Sequence, residues 1–138
     1  MICGFNGEYR FLSNFYMINI VVDSITYKSS EHYYMSEKTI DDRIKKSIMD
    51  ATTAGSAKRI GKTLKLRNDW EEKYKNQSML RGLTAKFYIP EMRDKLLSTG
   101  DFYLEETNHW NDVYWGVCDG VGKNMLGRIL MYIRKQLK

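Results

Sequence analysis

Glu31 is the first residue in this sequence whose surroundings point to chemistry. It stands in "TYKSSEHYYMSEK", residues 26–38, shortly before Tyr33 and Tyr34. A carboxylate among aromatic rings is partly removed from water, which raises its pKa and suits it to act as a general acid or base. An acid in the first turn of a helix is also simply favourable beside the helix dipole, and spacing alone favours that structural interpretation.

Trp70 and Lys86 form a second pair of candidates. Trp70 ends "LRNDW", residues 66–70, and Lys86 lies in "TAKFY", residues 84–88. An exposed indole can stack on a nucleobase, whereas a buried indole anchors the core, and the sequence pattern favours the core. Lys86 lies at the edge of an apolar helix face, so it either extends its head to solvent or contacts a phosphate or a sugar.

The segment "LEETNHWNDVYWG", residues 104–116, concentrates polar and aromatic side chains without a helical or strand repeat. Loops of this composition are more often functional than loops of serine and glycine. Its candidates are Glu106, Asp112 and Trp115, although His109 could simply belong to a capped turn. A metal site would need a closer set of ligands than these side chains supply, so we expect no bound metal.

A glycine pair in "DGVGKNMLG", residues 119–127, precedes the last helix. Gly120 and Gly122 at a helix start would let backbone N–H groups approach an anion, which the helix dipole favours. The pattern matches many turns by chance. Without a preceding buried strand and an acidic residue about 20 positions later, it does not indicate a dinucleotide-binding fold.

The stretch "GEYRFLSNFY", residues 7–16, places Arg10, Ser13 and Asn14 among apolar and aromatic side chains. An arginine head and an asparagine amide each need hydrogen-bond partners wherever water is excluded. The segment therefore does not fit a simple core element. Its polar side chains must meet something polar.

Composition restricts the class of protein. The chain of 138 residues has 43% hydrophobic residues and a net charge of +5, and Cys3 and Cys118 are its only cysteines. We expect a soluble, cytoplasmic protein without a disulfide framework, a membrane span or a cofactor. The positive charge suggests an anionic partner such as phosphate or nucleic acid, although ordinary solubility explains it slightly better.

Periodicity and capping residues predict mostly helices. The last segment is the clearest, since Leu126, Ile129, Leu130, Ile133 and Leu137 share one helix face. We predict an α+β fold, a helix-rich single domain over residues 1–138 with a small β-sheet. The predicted elements are a hairpin within 15–28 around Asp23 and Ser24, a helix from Glu31 capped by Ser29 or Ser30, a helix after Asp41, a helix from Thr53, its cap, to about Lys62, a long helix capped by Asn68 or Asp69 that runs to about Tyr88, a helix from Pro90 to Gly100, and strands at 101–106 and 113–118.

Taken together, the motifs resemble one family. "GEYRFLSNFY", "TYKSSEHYYMSEK", "AKRIGK", "LRNDW", "LTAKF", "LLSTGD", "YWG" and "GKNMLGRILMYIR" follow one another over nearly the whole chain. Their order and spacing are similar to those of the NADAR family, also called YbiA-like. The set is specific, although each piece alone is weak.

This resemblance implies an N-glycosidase linked to NAD and ADP-ribose metabolism. It implies two substrate classes, phosphoribosylated pyrimidine intermediates of riboflavin synthesis and ADP-ribosylated guanine in nucleic acid. An alternative is a non-catalytic module or sensor that binds ADP-ribose or another NAD-derived nucleotide, because binding and catalysis share the residues that hold phosphate and base. The implied site residues are Arg10, Ser13, Asn14, Glu31, Trp70, Lys86, Glu106, Asp112, Trp115, Gly122 and Asn124.

Cleavage of an N-glycosidic bond passes through a sugar cation, which sets the roles we expect. Glu31 would stabilise that cation or activate water, and Asp112 would be a second carboxylate for sugar hydroxyls or for protonating the leaving group. Lys86 could instead form a Schiff base with an opened ribose. The expected substrate contacts are base stacking by Trp70 or Trp115, phosphate binding by Arg10, Lys86 and the N–H groups near Gly122, and contacts of Ser13 and Asn14 with a phosphate or ribose.

Overall fold

The computed structural model describes all residues from 1 to 138 and is rich in helices. The helices and strands, in chain order, are β1 (Ile2–Cys3), a 3-10 helix (Gly7–Leu12), β2 (Ile20–Val22), β3 (Ile25–Tyr27), α1 (Ser30–Ser36), α2 (Asp42–Asp50), α3 (Ala54–Thr63), a π-helical segment (Trp70–Tyr74), α4 (Lys75–Phe87), α5 (Pro90–Leu97), β4 (Leu104–Glu105) and α6 (Met125–Leu137).

Two compact units make up the chain. The central unit is residues 14–86, and the terminal unit combines residues 1–13 with residues 87–138. Each unit has its own small sheet, β2 with β3 in the central unit and β1 with β4 in the terminal unit. The predicted combination of many helices with little sheet is confirmed.

The hairpin of the central unit follows from its turn residues. Strands β2 and β3 pair antiparallel, with Ile20 opposite Tyr27. Asp23 and Ser24 lie between them with φ of 51° and 68°. Positive φ at both central positions is the type I′ turn, whose twist matches that of two-residue hairpins. The predicted hairpin is confirmed, although each strand has only three residues.

Side-chain caps start the three helices that follow. The Ser29 side chain accepts a hydrogen bond from the His32 N–H, and Asp41 and Thr53 cap α2 and α3 in the same way. Such caps satisfy N–H groups that have no partner within the helix. The predicted caps are confirmed at Ser29, rather than Ser30, and at Thr53, and α2 begins after Asp41 as predicted. Helix α1 packs against both α2 and α3.

The long helix begins differently from the prediction. Asp69 has φ of 62° and makes no side-chain cap hydrogen bond, so neither Asn68 nor Asp69 caps this helix. A capping side chain needs an extended backbone at its own residue, and a left-handed residue does not provide one. The first turn is instead a π-helix, in which the Asp69 carbonyl accepts from the N–H groups of Lys73 and Tyr74.

In the terminal unit, β1 pairs in parallel with β4, and α6 packs against β4 and α5. Four α6 residues of the predicted face are buried, Leu126, Leu130, Ile133 and Leu137, which confirms the amphipathic helix. Pro90 is the first residue of α5, as predicted.

The two predicted strands of the terminal unit are mostly wrong. Only Leu104–Glu105 of 101–106 is a strand, and 113–118 forms only isolated bridges. The carbonyls of residues 113–116 accept hydrogen bonds from the N–H groups of residues 123–126. Because those carbonyls already have partners at the start of α6, they cannot join a strand ladder.

No helix of the structure has the length and apolar character needed to cross a membrane. No group of three or more histidine, cysteine, aspartate or glutamate side chains is arranged to hold a metal ion.

Gly82 tests the packing of α4 against α1. A Cβ at Gly82 would lie 2.8 Å from Cδ2 of Tyr33, whose ring is fully buried. We expect Gly82→Ala to lower the free energy of unfolding by roughly 1 to 2 kcal/mol, because the overlap outweighs the better helix propensity of alanine. Urea unfolding followed by circular dichroism measures the change.

Gly55→Ala is the matched control in α3. Its Cβ would lie 3.9 Å from the nearest atoms, Cε2 of Phe15 and the Thr53 hydroxyl, which is ordinary contact. This variant should be as stable as the parent or slightly more stable. Equal stability of the two alanine variants would contradict the described packing of Tyr33.

Candidate active site

The first turn of α1 holds Glu31 in a buried position. Glu31 is 5% exposed, and its N–H donates to the Asn14 carbonyl over 3.2 Å. On either side of it, the Ser29 side chain caps the helix and the Ser30 hydroxyl donates to Oδ1 of Asn14 over 2.7 Å. The carboxylate therefore projects from a backbone that several hydrogen bonds hold in place.

His32 fixes the same turn from its other side. Its Nδ1 lies 2.6 Å from the Ser29 hydroxyl, and its Nε2 lies 2.9 Å from the Ala51 carbonyl. Burial lowers the pKa of His32, so the imidazole is held in its neutral form. A neutral ring that donates from Nε2 and accepts at Nδ1 satisfies both contacts.

Asn14 uses its amide within the central unit. Besides accepting from Ser30, it donates from Nδ2 to Sδ of Met79 over 3.2 Å, and it is 8% exposed. These contacts connect the segment before the hairpin with α1 and α4. The polar partners that the sequence required for Asn14 are thus α1 and α4 groups, and a contact with phosphate or ribose stays a prediction.

Lys86, in the last turn of α4, is the only lysine that is fully buried. Its Nζ lies 5.5 Å from the centre of the Tyr16 ring. Burial lowers the pKa of this amine to about 7. A lysine in that range is partly neutral near neutral pH, which is the form that acts as a base or a nucleophile. The interpretation of Lys86 as a lysine that extends to solvent is therefore wrong.

Trp70 lies in the core of the central unit, as the sequence pattern favoured. The indole is 4% exposed, and its ring centre lies 5.5 Å from that of Tyr34 at an angle of 52°. Tyr34 lies in α1, one turn after the candidate residue Glu31. Trp70 therefore anchors the start of the π-helical segment. Stacking of a base on this indole stays a prediction.

In the terminal unit, Asn108 organises the loop that contains Glu106 and Asp112. Its Nδ2 donates to Oε2 of Glu106 over 2.9 Å and to the Asp112 carbonyl over 2.8 Å. Its Oδ1 accepts from the N–H groups of Trp110 and Asp112. Asn108 is 2% exposed, so these contacts are shielded from water.

Asp112 caps the turn that follows it. Its Oδ1 accepts from the N–H groups of Tyr114 and Trp115, over 3.2 and 2.9 Å. The Trp115 ring is half-buried and meets Tyr114 edge to face, with ring centres 4.9 Å apart. The structure thus shows a positioning role for Asp112.

Asn124 and Gly122 shape the start of α6. The Asn124 side chain accepts from the Glu106 N–H over 3.0 Å and donates to the Leu104 carbonyl over 2.9 Å. Gly122 has φ of 153°, and a Cβ there would lie 2.9 Å from Cα of Val117. Glycine is required at this close approach of two backbone segments.

The expected anion cradle at this helix start is wrong in one respect. The N–H groups of residues 123–126 donate to the carbonyls of residues 113–116. An N–H group that already has a carbonyl partner does not offer itself to a phosphate. Gly122 therefore permits close packing of the loop rather than exposing a row of donors, whereas Gly120 has φ of 78° and open space where a Cβ would lie.

Arg10 and Ser13 end the 3-10 helix of the terminal unit. Arg10 is exposed, and its carbonyl accepts from the Ser13 N–H over 2.9 Å. The predicted residues divide between the two units. Asn14, Glu31, Trp70 and Lys86 belong to the central unit, and Arg10, Ser13, Glu106, Asp112, Trp115, Gly122 and Asn124 belong to the terminal unit.

Sequence reasoning missed two residues that hold these groups. The sequence indicates Ser30 only as a possible cap, and it gives no reason to select Asn108. Asparagine and serine favour turns and local backbone contacts, which is the one signal available. That signal does not tell one asparagine of the loop from another.

Comparisons with known proteins agree with the motifs. A family model described as the NADAR domain matches residues 4–138. The N-glycosidase YbiA of Escherichia coli (strain K12) is 39% identical over 136 residues, which is 96% of this chain and 84% of the relative. An N-glycosidase of Nostoc punctiforme is 34% identical over 137 residues, covering 94% of this chain and 86% of the relative.

Two further matches extend the comparison. A riboflavin biosynthesis protein of Vibrio vulnificus is 35% identical over 141 residues, and the chain spans only 36% of that protein's length. The NMR structure of YbiA from Escherichia coli matches with a TM-score of 0.86 and 37% identity, over 99% of this chain and 84% of that chain. These matches confirm the predicted fold class, and the names of the relatives agree with the expected class of hydrolase. The chain belongs to the NADAR family.

Proposed function

We propose that this protein is an N-glycosidase that hydrolyses the bond between a ribose and a nitrogen of a base or amine. The observation that carries the proposal is the fully buried Lys86, whose pKa is lowered to about 7, in the same unit as the buried Glu31. Burial of two ionisable groups is costly and is common at sites of catalysis. The names of the YbiA relatives support the reaction class.

Glu31 supplies the negative charge that this chemistry needs. As the bond to the base breaks, positive charge develops on the ribose ring. A carboxylate fixed nearby and shielded from water stabilises that charge or removes a proton from an attacking water. The hydrogen bonds of the first turn of α1 hold the Glu31 backbone before substrate binds, so little rearrangement is needed.

Lys86 supports a covalent route as a second form of the same reaction. Its neutral amine attacks C1 of the ribose, the base leaves with a proton, and ring opening gives an imine between Nζ and C1. Water then adds to C1 and releases both the sugar and the amine. Direct hydrolysis with Glu31 as the base is the other route, and both keep Glu31 essential.

Two substrate classes fit the proposal. One is a phosphoribosylated pyrimidine intermediate of riboflavin synthesis, supported by the name of the Vibrio vulnificus relative. The other is ADP-ribosylated guanine in nucleic acid, which suits a chain of net charge +5. Both substrates carry phosphate on the ribose and a base on C1.

The two free cysteines suit a reducing cytoplasm.

The candidate residues of the terminal unit differ in the contacts that their side chains make within the protein. Asp112 and Asn124 hold backbone groups, so we propose that they act by positioning the loop 105–116 rather than by touching substrate. Arg10 is exposed and is proposed to contact a phosphate or ribose. Ser13, Glu106 and Trp115 are proposed substrate contacts on the family resemblance alone.

Glu31→Gln tests the role of the carboxylate. Glutamine nearly preserves the shape but removes the charge, so we expect release of base to slow by at least about 100-fold. Glu72→Gln is the control, since this glutamate is exposed in the π-helical segment of the same unit. Chromatography of the freed base from a ribosylated substrate measures the rates. Equal rates for Glu31→Gln and the parent would rule out this role.

Trapping with cyanoborohydride during turnover tests the covalent route. Reduction of the imine would add the mass of the opened sugar to the parent chain, and the adduct should disappear in Lys86→Met but persist in Lys46→Met. Because only the neutral amine reacts, adduct formation should rise as the pH increases through about 7. An active parent enzyme that never forms an adduct would leave direct hydrolysis as the mechanism.

A further inference from the structure

The His32 side chain joins the first turn of α1 to the end of α2. Its Nε2 lies 2.9 Å from the carbonyl oxygen of Ala51, the residue that caps the C-terminal end of α2. Its Nδ1 lies 2.6 Å from the hydroxyl oxygen of Ser29, whose side chain caps α1. Ser29 and His32 are both fully buried. Because Glu31 directly precedes His32, the imidazole connects the turn that bears the candidate carboxylate with a second helix.

Only one neutral tautomer of His32 satisfies both partners. A carbonyl oxygen only accepts, so Nε2 must carry a proton and donate it to Ala51. The Ser29 oxygen already accepts from the His32 N–H over 3.1 Å, and its own proton is donated to Nδ1. The ring therefore donates at one nitrogen and accepts at the other. Every polar group of this connection has a partner.

Protonation of Nδ1 would break this arrangement. The Ser29 oxygen would then face two N–H donors, and its hydroxyl proton would lose its acceptor. Ser29 has no exposed surface through which water could replace that acceptor. A buried donor without a partner is unfavourable, so the connection between the two helices requires the neutral ring.

A neighbouring cation also opposes protonation of the ring. The Lys28 Nζ donates to the same Ala51 carbonyl over 3.1 Å and to the Asp50 carbonyl over 3.1 Å. A protonated His32 would place a second positive charge on that carbonyl. Burial lowers the pKa of His32 and repulsion from Lys28 lowers it further, while the hydrogen bond to Ala51 opposes the shift.

No carboxylate counteracts the charge of Lys28 at the ring. Strand β3 and helices α2 and α3 pack against α1. Strand β3 contributes one titratable group, Tyr27, and no charged residue. At the end of α2, the exposed carboxylate of Asp50 pairs with Lys46. Glu31 is the one carboxylate of α1 itself. The charged residues of α3 are all cations: Lys58, Arg59 and Lys62.

We propose that His32 positions Glu31 for the release of base only while its ring is neutral, and that protonation of His32 frees the first turn of α1 from α2 and lowers the rate. This inference rests on the proposed N-glycosidase function and adds a residue that acts through Glu31. Asn14 holds the same turn through the Glu31 N–H, and His32 holds it through Ala51. A displacement of about 1 Å at a reacting group can lower a rate by up to about 100-fold.

The alternative is that His32 only stabilises the fold. Substitutions of His32 would then change the free energy of unfolding. They would leave the rate per folded molecule, and the pH dependence of that rate, as they are in the parent.

His32→Gln and His32→Asn separate the two contacts of the ring. The longer glutamine amide reaches the Ala51 carbonyl and donates to it, but it does not take up a proton. The shorter asparagine amide reaches only the Ser29 hydroxyl. We expect His32→Gln to keep most of the kcat of the parent at about pH 7.5 and His32→Asn to lower kcat about tenfold, with KM nearly unchanged in both.

His109→Gln is the matched control. His109 is the second of the two histidines of the chain, and it is exposed. This variant should have the kcat, the KM and the pH dependence of the parent.

The pH dependence of the rate distinguishes positioning from stabilisation. The parent and His32→Gln share Glu31 and Lys86, so the ratio of their rates removes the contributions of those two groups. Because the pKa of His32 is lowered, the parent should lose activity through this group only below the ordinary histidine value of about 6.5. The rate of His32→Gln relative to the parent should therefore rise as the pH falls below about 6.5. Lys28→Met removes the repulsion and should shift the loss of activity to higher pH.

Urea unfolding followed by circular dichroism tests the same titration without substrate. In the unfolded chain His32 takes up a proton at its ordinary pKa, whereas in the folded protein it does so only at lower pH. The parent should therefore lose stability relative to His32→Gln as the pH falls below about 6.5.

The role of His32 and the N-glycosidase function can fail separately. If base is released but the ratio of rates stays constant down to the lowest pH at which both proteins are folded, or if His32→Asn and His32→Gln have equal kcat per folded molecule, the role of His32 is overturned and the N-glycosidase function stands. If no N-riboside is cleaved, the N-glycosidase function falls. The stability of the parent relative to His32→Gln then decides whether the connection requires a neutral ring: a loss at acid pH supports it, and no loss overturns it.

Discussion

The hydrogen bonds between Asn14 and the first turn of α1 are the constraint on which the candidate site depends. The Ser30 hydroxyl donates to Oδ1 of Asn14, and the Glu31 N–H donates to the Asn14 carbonyl. Loss of the Asn14 amide would leave the Ser30 hydroxyl without this acceptor inside a region closed to water, which costs about 1 to 3 kcal/mol. Because Glu31 lies in the same turn, these hydrogen bonds also fix the backbone from which its carboxylate projects.

Burial links the stability of the central unit with its chemistry. A carboxylate and an amine shielded from water are unfavourable for folding, yet the same shielding shifts the pKa of Lys86 towards neutrality and strengthens the field of Glu31. Buried apolar side chains of the same unit, Leu83 and Met79 among them, have no chemistry of their own. Ordinary core packing thus keeps water away from the ionisable groups of Glu31 and Lys86.

Local rules explain which parts of the fold could be predicted from the sequence. Asp23 and Ser24 determine a turn, Ser29, Asp41 and Thr53 determine helix starts, and the spacing from Leu126 to Leu137 determines a helix face. Each of these depends on a few neighbouring residues. The π-helical start of α4 and the irregular loop 105–116 depend instead on contacts between distant residues, such as Asn124 with Leu104. No spacing rule reports such contacts.

The sequence identifies several residues of the candidate site but not the tertiary contacts that determine what they do. Glu31 and Lys86 were identified, but their burial, which gives them their character, is a tertiary property. Asp112 and Asn124 were identified as well, yet their side chains serve backbone groups of the terminal unit. Motif matching finds residues that a family requires and does not distinguish residues that touch substrate from residues that hold the loop.

Identification of the cleavage products tests the central claim most directly. The protein would be incubated in catalytic amount with a phosphoribosylated aminopyrimidine and, separately, with DNA that carries ADP-ribosylated guanine, and the products analysed by mass spectrometry. The account predicts many turnovers on at least one substrate, with free aminopyrimidine and ribose phosphate as products of the first, or ADP-ribose and unmodified guanine in the DNA as products of the second. Binding of ADP-ribose without cleavage of either substrate would contradict it and would identify a binding module.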